Sequence, residues 1–378
     1  MTTNPSHEKT PRVLLVCGVF SPERCGVGDY TRRLASELGT QGADVHVWSS
    51  KGAVESEGVH VHADVDGWTD TLLVRRRFEE VLREVRPDVV QIQYPGSYGK
   101  ANRSVAGNLL PHWARTRGFR VFTTLHEWGE RSLLWRLRAS LMVSRSHGVV
   151  AVTSPDARIL ARRPRLGSAR VRHIPLGPNL EFDRIQQARS AIPVLAFFGF
   201  LDPLKGLEEL LEVAASLRVR GQAFRLDLHG RYEPASCAHH AAIRAQVQRL
   251  GLDGVVRFAG PLPGDPQEAA RALSETWLGV LPFREGISER RSSFLVLGRA
   301  GIPVLTSPGR WQPDWLEDSE NVFLEPLSPE GWADRIARLC EDPARLDGVG
   351  SRLRSEILGR HDWAFAARGH LDFWKGPA

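Results

Sequence analysis

In the stretch FGFLDPLKGL, residues 198–207, an apolar run ends on a glycine, turns through Asp202 and Pro203, and sets Lys205 directly before a helical pattern. A helix start offers open backbone amides and the positive end of the helix dipole, so an ammonium there adds a point charge where phosphate is already favoured. A second junction of the same kind lies in SPERCGVGDY, residues 21–30, where Gly26 and Gly28 let the backbone approach a ligand closely. It departs from the dinucleotide fingerprint, whose third glycine would fall at Thr31, and this argues against a nicotinamide cofactor. Taken singly, a plain strand-to-helix turn and a solvated lysine account for the same letters. Asp64-Val65-Asp66 spells D-x-D and His239-His240 is a histidine pair, but the first reads as a solvated turn and the second as surface residues of an Ala-rich helix, so no metal is expected.

Such junctions need strands that run into helices at a common edge. RVLLVCGVF from Arg12, DVHVWSS from Asp44, VHVHADV from Val59, DVVQIQY from Asp88, RVFTTLHE from Arg120 and GVVAVTS from Gly148 read as strands, several too apolar to be half-exposed. DYTRRLASEL from Asp29 and TDTLLVRRRFEEVLREV from Thr69 have helical periodicity. The alternation implies a doubly wound parallel sheet. After VRHIPLGPNL from Val171 and the polar EFDRIQQARS from Glu181, the pattern restarts at PVLAFFGF from Pro193. Strands follow from Phe224, Val255, Trp277, Pro303 and Asn321, with helices over 206–217, 237–250, 267–274, 292–300 and 329–339. The expected class is α/β, with two Rossmann-like domains joined near 181–192 and ligands beyond the carboxyl ends of the strands.

Bulk properties agree. The 378 residues exceed what one core holds, and 42% hydrophobic with 25% charged residues is ordinary globular composition. The net charge of +6 favours anionic ligands, and phosphate-bearing substrates or lipid headgroups meet it equally. No zinc pattern, RNP-like motif or long basic arm points to nucleic acid. Four cysteines without pairing or metal spacing fit a reducing compartment, and the polar N-terminus lacks a signal-peptide core, so a cytoplasmic protein is expected. Peripheral membrane contact and the oligomeric state stay open.

GFLDPLKGLEELL, from Gly199 through Lys205 and Gly206, resembles the G-R-L-x-x-x-K-G-x-x-x-L-L signature of family-4 retaining glycosyltransferases with the GT-B fold. CGVG from Cys25, HIPLG from His173, LHG from Leu228, VRFAG from Val256, EGI from Glu285 and AGIPV from Ala300 are similar to that family's segments in the same order, and Trp363 opens a segment like its last helix. The resemblance runs over 12–373. It implies an acceptor-side domain over 1–182 and a nucleotide-sugar domain over 183–360, facing each other across a cleft, with a helix over 361–378 packed back on the first. It also implies catalytic roles for His126, Lys205 and Glu285. Gly26, Gly28 and Gly199 would lie against the donor diphosphate, Lys205 would neutralise it, and Gly260, Pro261 and Leu262 would hold the base. Glu285, the amides of Gly286 and Ile287, and Ser288 would contact donor sugar and phosphate; His126 would stand near the transferred sugar and the acceptor. The donor is then a nucleoside-diphosphate sugar, UDP or GDP first, with no cofactor.

Two departures from that family stand out. Phe200 occupies the place of its arginine, leaving Arg290, Arg291 and Arg231 as candidate replacements. The second glutamate of its E-x(7)-E pattern is missing: eight residues from Glu285 is Ser293, and alignment back from Gly301 gives Val296. Arg290, Arg291, Ser292 and Ser293 are then candidates to hold the ribose. The implied chemistry needs no protein nucleophile. Charge develops on the sugar and the departing diphosphate, so catalysis is positioning and electrostatic stabilisation, with retention through front-face attack and the diphosphate as base. A silent nucleotide-sugar-binding protein would explain the missing glutamate, and a sugar-nucleotide epimerase would need no acceptor.

The acceptor is expected on the first domain. Tyr94 and Tyr98 in QYPGSYGK (residues 93–100), with Glu127 and Trp128 beside His126, are candidate walls. RSLLWRLRASLMVSRS, residues 131–146, interleaves leucine with arginine. It reads as a core-facing helix with a solvated arginine face, which keeps a small metabolite, natural product or saccharide in front as acceptor; rest on an anionic membrane, with a lipid-linked acceptor, is the alternative.

Overall fold

The computed structural model describes residues 10–22, 25–54, 58–95, 98, 105–129, 131–163, 170–181, 184–185 and 188–376. Glu23 and Arg24 of the glycine turn, Gly96, Ser97, Gly99 and Lys100 of the QYPGSYGK segment, and 182, 183, 186 and 187 of the expected linker lie outside the described residues. The chain divides into two compact units, Met1–Leu176 with Asp362–Ala378, and Gly177–His361.

The first unit runs β1 (Arg12–Val16), α1 (Gly26–Thr40), β2 (Asp44–Ser50), β3 (His60–Val65), α2 (Thr71–Val85), β4 (Val89–Tyr94), α3 (Ala106–Thr116), β5 (Arg120–Leu125), α4 (Leu133–Arg145), β6 (Gly148–Ala151), α5 (Ser154–Ala161) and β7 (Val171–His173). Its seven strands lie in the order β3-β2-β1-β4-β5-β6-β7, all parallel. Every residue of β4 is buried, as a central strand covered on both faces requires. α2 shows how the helices form: Asp70 caps it by accepting from Leu72 and Leu73, and Val74, Phe78, Val81, Leu82 and Val85 turn one stripe onto the sheet.

The second unit runs β8 (Val194–Phe198), α6 (Leu207–Val219), β9 (Arg225–His229), α7 (Ala238–Arg249), β10 (Val256–Phe258), α8 (Pro266–Leu273), β11 (Thr276–Leu281), α9 (Ser292–Arg299), β12 (Val304–Thr306), β13 (Phe323–Leu324), α10 (Pro329–Cys340) and α11 (Pro343–Arg360). Its parallel strand order, β10-β9-β8-β11-β12-β13, repeats that of the first sheet's first six strands. In each sheet the order reverses beside the first strand, between β1 and β4 and between β8 and β11, and ligands of open α/β sheets bind beyond such switch points. α12 (Trp363–Lys375) belongs to the first unit: Gln41 donates to Ala364 O at 2.8 Å, Trp363 stands 5.3 Å from the Tyr30 ring, and Trp374 Nε1 donates to Gln91 Oε1 at 2.9 Å.

α4 overturns the expectation of a core-facing leucine stripe. Its buried residues are Ala139, Met142 and Val143, while Leu133, Leu134, Leu137 and Leu141 are 59–71% exposed. Leucine and arginine alternate so closely in this segment that periodicity marks a face without telling which way it turns.

Candidate active site

At the switch point of the second sheet, the exits of β8 and β11 meet through one glycine. Gly206 has φ +71°, and a Cβ there would stand 1.9 Å from the carbonyl oxygen of Pro282, so only glycine lets the loop after β8 press against the end of β11. That approach sets the neighbouring Lys205 Nζ 5.4 Å from the centre of the Phe283 ring. The Arg291 guanidinium lies 4.7 Å from the same ring and donates to Glu285 Oε2 at 3.0 Å, with Arg290 3.9 Å from that oxygen. Two cations thus share one aromatic platform with one half-exposed carboxylate. Burial first, and then the Arg291 charge, lower the Lys205 pKa to about 8 against the opposing pull of Asp202 and Glu285. Glu208 and Glu209, in the first turn of α6, are drawn off by Arg284 at 3.0 and 2.7 Å. Lys205 and Arg291 therefore concentrate positive charge beside an uncapped helix start, an arrangement suited to a diphosphate.

The neighbouring exits are laced to this one. Gly199 N donates to His229 O and Gly230 N to Gly260 O, both at 3.0 Å, so Gly199, Gly260 and Leu262 all follow strands that end on this edge. A Cβ on Gly199 would meet Ser293 at 3.8 Å. Ser292 Oγ accepts from Asn179 N at 3.3 Å. Gly286, at φ +79°, is wedged against Gly309, where a Cβ would lie 2.3 Å from the Gly309 Cα. The amides expected to face the donor are already used: Gly286 N donates to Phe283 O and Ile287 N to Ser307 O, each at 2.9 Å, and they hold the loop that carries Glu285. The buried hydroxyls of Ser288 and Ser307 have no hydrogen bond among the described residues. Phe200 is 48% exposed; of the candidate arginines, Arg231 pairs with Glu233 at 2.7 Å, Arg290 and Arg291 lie on Glu285, and Arg291 shares the Phe283 ring with Lys205. Phe283 and Ser307 were missed from the sequence; the position of Phe283 just beyond a buried strand was the available signal.

The first sheet's edge is built differently. His126, at the end of β5, donates from its backbone to Tyr94 O at 2.9 Å, and its Nε2 lies within hydrogen-bond distance, 3.0 Å, of the Gln93 side chain. Tyr30 meets the His126 ring edge-on at 4.6 Å and is braced by Trp363. Through Tyr30, then, His126 adjoins α1, whose first turn holds Gly26 and Gly28. The space at Gly26 is open, whereas a Cβ on Gly28 would stand 2.8 Å from Val19 O, so Gly28 serves packing against the β1 exit. Gln93 and Tyr30 were also missed in the sequence.

Three expected acceptor walls are instead core side chains. Tyr94 accepts from Asn108 at 2.9 Å, Tyr98 donates to Val16 O and Gln93 O, and Trp128 is fully buried under Arg163 at 4.5 Å. Each ring is occupied by its own unit because aromatic residues that end or follow central strands fold inward. Glu127 stays partly exposed and pairs with Arg131. Its loop is fixed by buried Asp156, which accepts from the amides of Trp128 and Gly129 at 3.1 and 2.8 Å. Asp64 accepts from Trp48 at 2.6 Å and Asp66 pairs with Lys51, so the D-x-D letters are engaged in the unit's own structure.

Two family models match, Glycosyltransferase Family 4 over residues 25–182 and Glycosyl transferases group 1 over 192–342. The chain belongs to the family-4 glycosyltransferases with the GT-B fold. Sucrose-phosphate synthase from Thermosynechococcus elongatus is similar in fold at TM-score 0.74 and 18% identity, covering 97% of this chain and 98% of that one. Anabaena HepE, solved in complex with UDP and glucose, is similar at TM-score 0.71 and 15% identity, over 97% of this chain and all of that one. D-inositol 3-phosphate glycosyltransferase of Nocardia farcinica is 25% identical over 244 residues, 61% of this chain. The matched part spans 53% of that relative, about half its length.

Proposed function

We propose that the protein is a retaining glycosyltransferase that moves a sugar from a nucleoside-diphosphate sugar to an acceptor hydroxyl without a metal. The observation that carries the reading is the pair Lys205 and Arg291 on the Phe283 ring at a switch point, in a chain of this family. As the anomeric C–O bond breaks, negative charge grows on the departing diphosphate, and two preorganised cations in a partly desolvated place stabilise it more than the ground state. The acceptor oxygen attacks on the face the diphosphate leaves, and a diphosphate oxygen takes its proton. Glu285, held by Arg291, orients the donor sugar. Gly260 and Leu262 border the base, and Ser288, Ser292 and Ser293 with Arg290 take over the ribose contacts of the missing glutamate. UDP or GDP carries the sugar. His126 faces the acceptor on the first unit, with Glu127 at its rim.

The acceptor is a small metabolite, natural product or saccharide, free or carried on a lipid; the outward leucines of α4 favour the lipid-carried form. The test is a calorimetric screen of UDP, GDP, ADP, dTDP and their common sugar conjugates without added metal. Selective binding of one nucleotide, followed by retention of configuration in the product formed from its conjugate, is the expected result. Binding of none of them overturns the reading, and tight binding without transfer to any acceptor would leave a silent binding protein.

A further inference from the structure

α4 carries four leucines, Leu133, Leu134, Leu137 and Leu141, each more than half exposed, on a turn-by-turn stripe about 12 Å long. A contiguous apolar stripe on a charged surface marks an interaction site. The helix, LLWRLRASLMVSR, holds three arginines and no acid. Arg138 and Arg145 flank the stripe on the exposed side, and no carboxylate pairs with either among the described residues; Arg131, just before the helix, is matched by Glu127. The apolar exposure continues beyond α4. Leu72 is 79% and Leu73 39% exposed in the first turn of α2, and Val105, which caps α3, is 54% exposed. α2 packs on α3 and α3 on α4. Because each follows a strand of one parallel sheet, all three helices begin at the carboxyl edge of that sheet, so these side chains share a single rim, the one on which His126 also stands.

We propose that this rim and the α4 stripe dock the first unit onto an anionic lipid bilayer. Leucines enter the acyl boundary while Arg138 and Arg145 meet acidic headgroups, as an interfacial amphipathic helix does. A protein partner fits less well: interface cores favour aromatic anchors, and the stripe's aromatic residue, Trp135, is turned half inward against Trp128 and Tyr94. Docking makes the acceptor of the proposed transfer a lipid-carried hydroxyl presented at the membrane surface. That last step rests on the glycosyltransferase reading, whereas the docking stands without it.

The experiment is co-sedimentation of the full chain with vesicles of phosphatidylcholine alone and of phosphatidylcholine with about 30% phosphatidylglycerol, at low and high salt. The wild type is expected to bind the anionic vesicles, and to be released by salt. Leu134→Glu/Leu137→Glu/Leu141→Glu, exposed sites whose change spares the fold, should lower binding at least about tenfold. Arg138→Gln should lower it roughly fivefold and weaken the salt dependence. Absence of binding to anionic vesicles, or undiminished binding of the triple variant, overturns the proposal; so does a dimer that the triple variant dissociates, which would name a second copy as the occupant. Nucleotide affinity of the triple variant, measured in parallel, should equal the wild type's, so docking and the donor reading fail separately.

Discussion

At the carboxyl edge of the second sheet two cations, Lys205 and Arg291, crowd one phenylalanine; at the corresponding edge of the first, a histidine packs against a tyrosine and a glutamine. Both edges sit beside a strand-order reversal of the same kind. The topology therefore supplies the place, and the side chains decide its charge. Like charges drawn together at one edge cost stability, whereas at the other edge the histidine rests on the tyrosine ring and on the glutamine side chain. One edge gathers positive charge on an aromatic ring, the other interlocks uncharged and aromatic contacts around a histidine.

Substitutions should keep these two behaviours apart. Trp363→Ala removes the brace behind Tyr30 and should destabilise the first unit by about 3–5 kcal/mol, seen in denaturant unfolding, while leaving UDP or GDP affinity unchanged. A parallel loss of nucleotide affinity would erase the contrast. Lys205→Ala should do the reverse, costing roughly 2–3 kcal/mol of diphosphate affinity and nearly abolishing transfer, with thermal stability at neutral pH raised rather than lowered because a buried charge is gone. Calorimetry showing unchanged affinity in a folded variant would break the assignment. Arg291→Met should cost about 1–2 kcal/mol of the same affinity. It should also lift the Lys205 pKa, because a neighbouring like charge is gone.

The smallest effect is on pH. The fold lowers Lys205 from 10.5 to about 8, so the charged lysine burdens the empty protein at neutral pH, and stability from this group rises as pH climbs from about 8 to 10.5. Diphosphate binding has the opposite sign: it favours the protonated lysine, and affinity should fall several-fold as pH passes from about 7 to 9.5. Lys205→Arg should flatten that slope. A slope that persists in the arginine variant assigns the proton elsewhere.

Much of the second edge could be read in the letters, because glycine, lysine and glutamate at strand exits have few other uses in that pattern. Gly206 and Lys205 are adjacent in sequence and adjacent in cause. Phe283 was not legible: an aromatic residue after a buried strand looks like core until the two cations are seen on its ring. Tyr98 and Trp128 failed in the opposite direction, since an aromatic residue in a loop pattern looks like a binding wall until its polar atom or ring face is found engaged inside. The leucines of α4 were visible as a stripe, but the side on which the helix lies is set by Ala139, Met142 and Val143 packing inward, a tertiary choice. α3, α5 and α11 have no counterpart in the sequence reading; α11 carries a narrow stripe of Leu346, Val349, Leu353 and Ile357.

The return of α12 to the first unit sets an order of assembly. The sheet that is synthesised first lacks its last helix until the entire second unit has left the ribosome, a wait of about 10–40 s at ordinary elongation rates. Through that interval the surfaces of Tyr30, Gln41 and Gln91 that α12 covers stand open. The second unit, contiguous in sequence from Gly177 to His361, can close on its own, so the half made later is finished first.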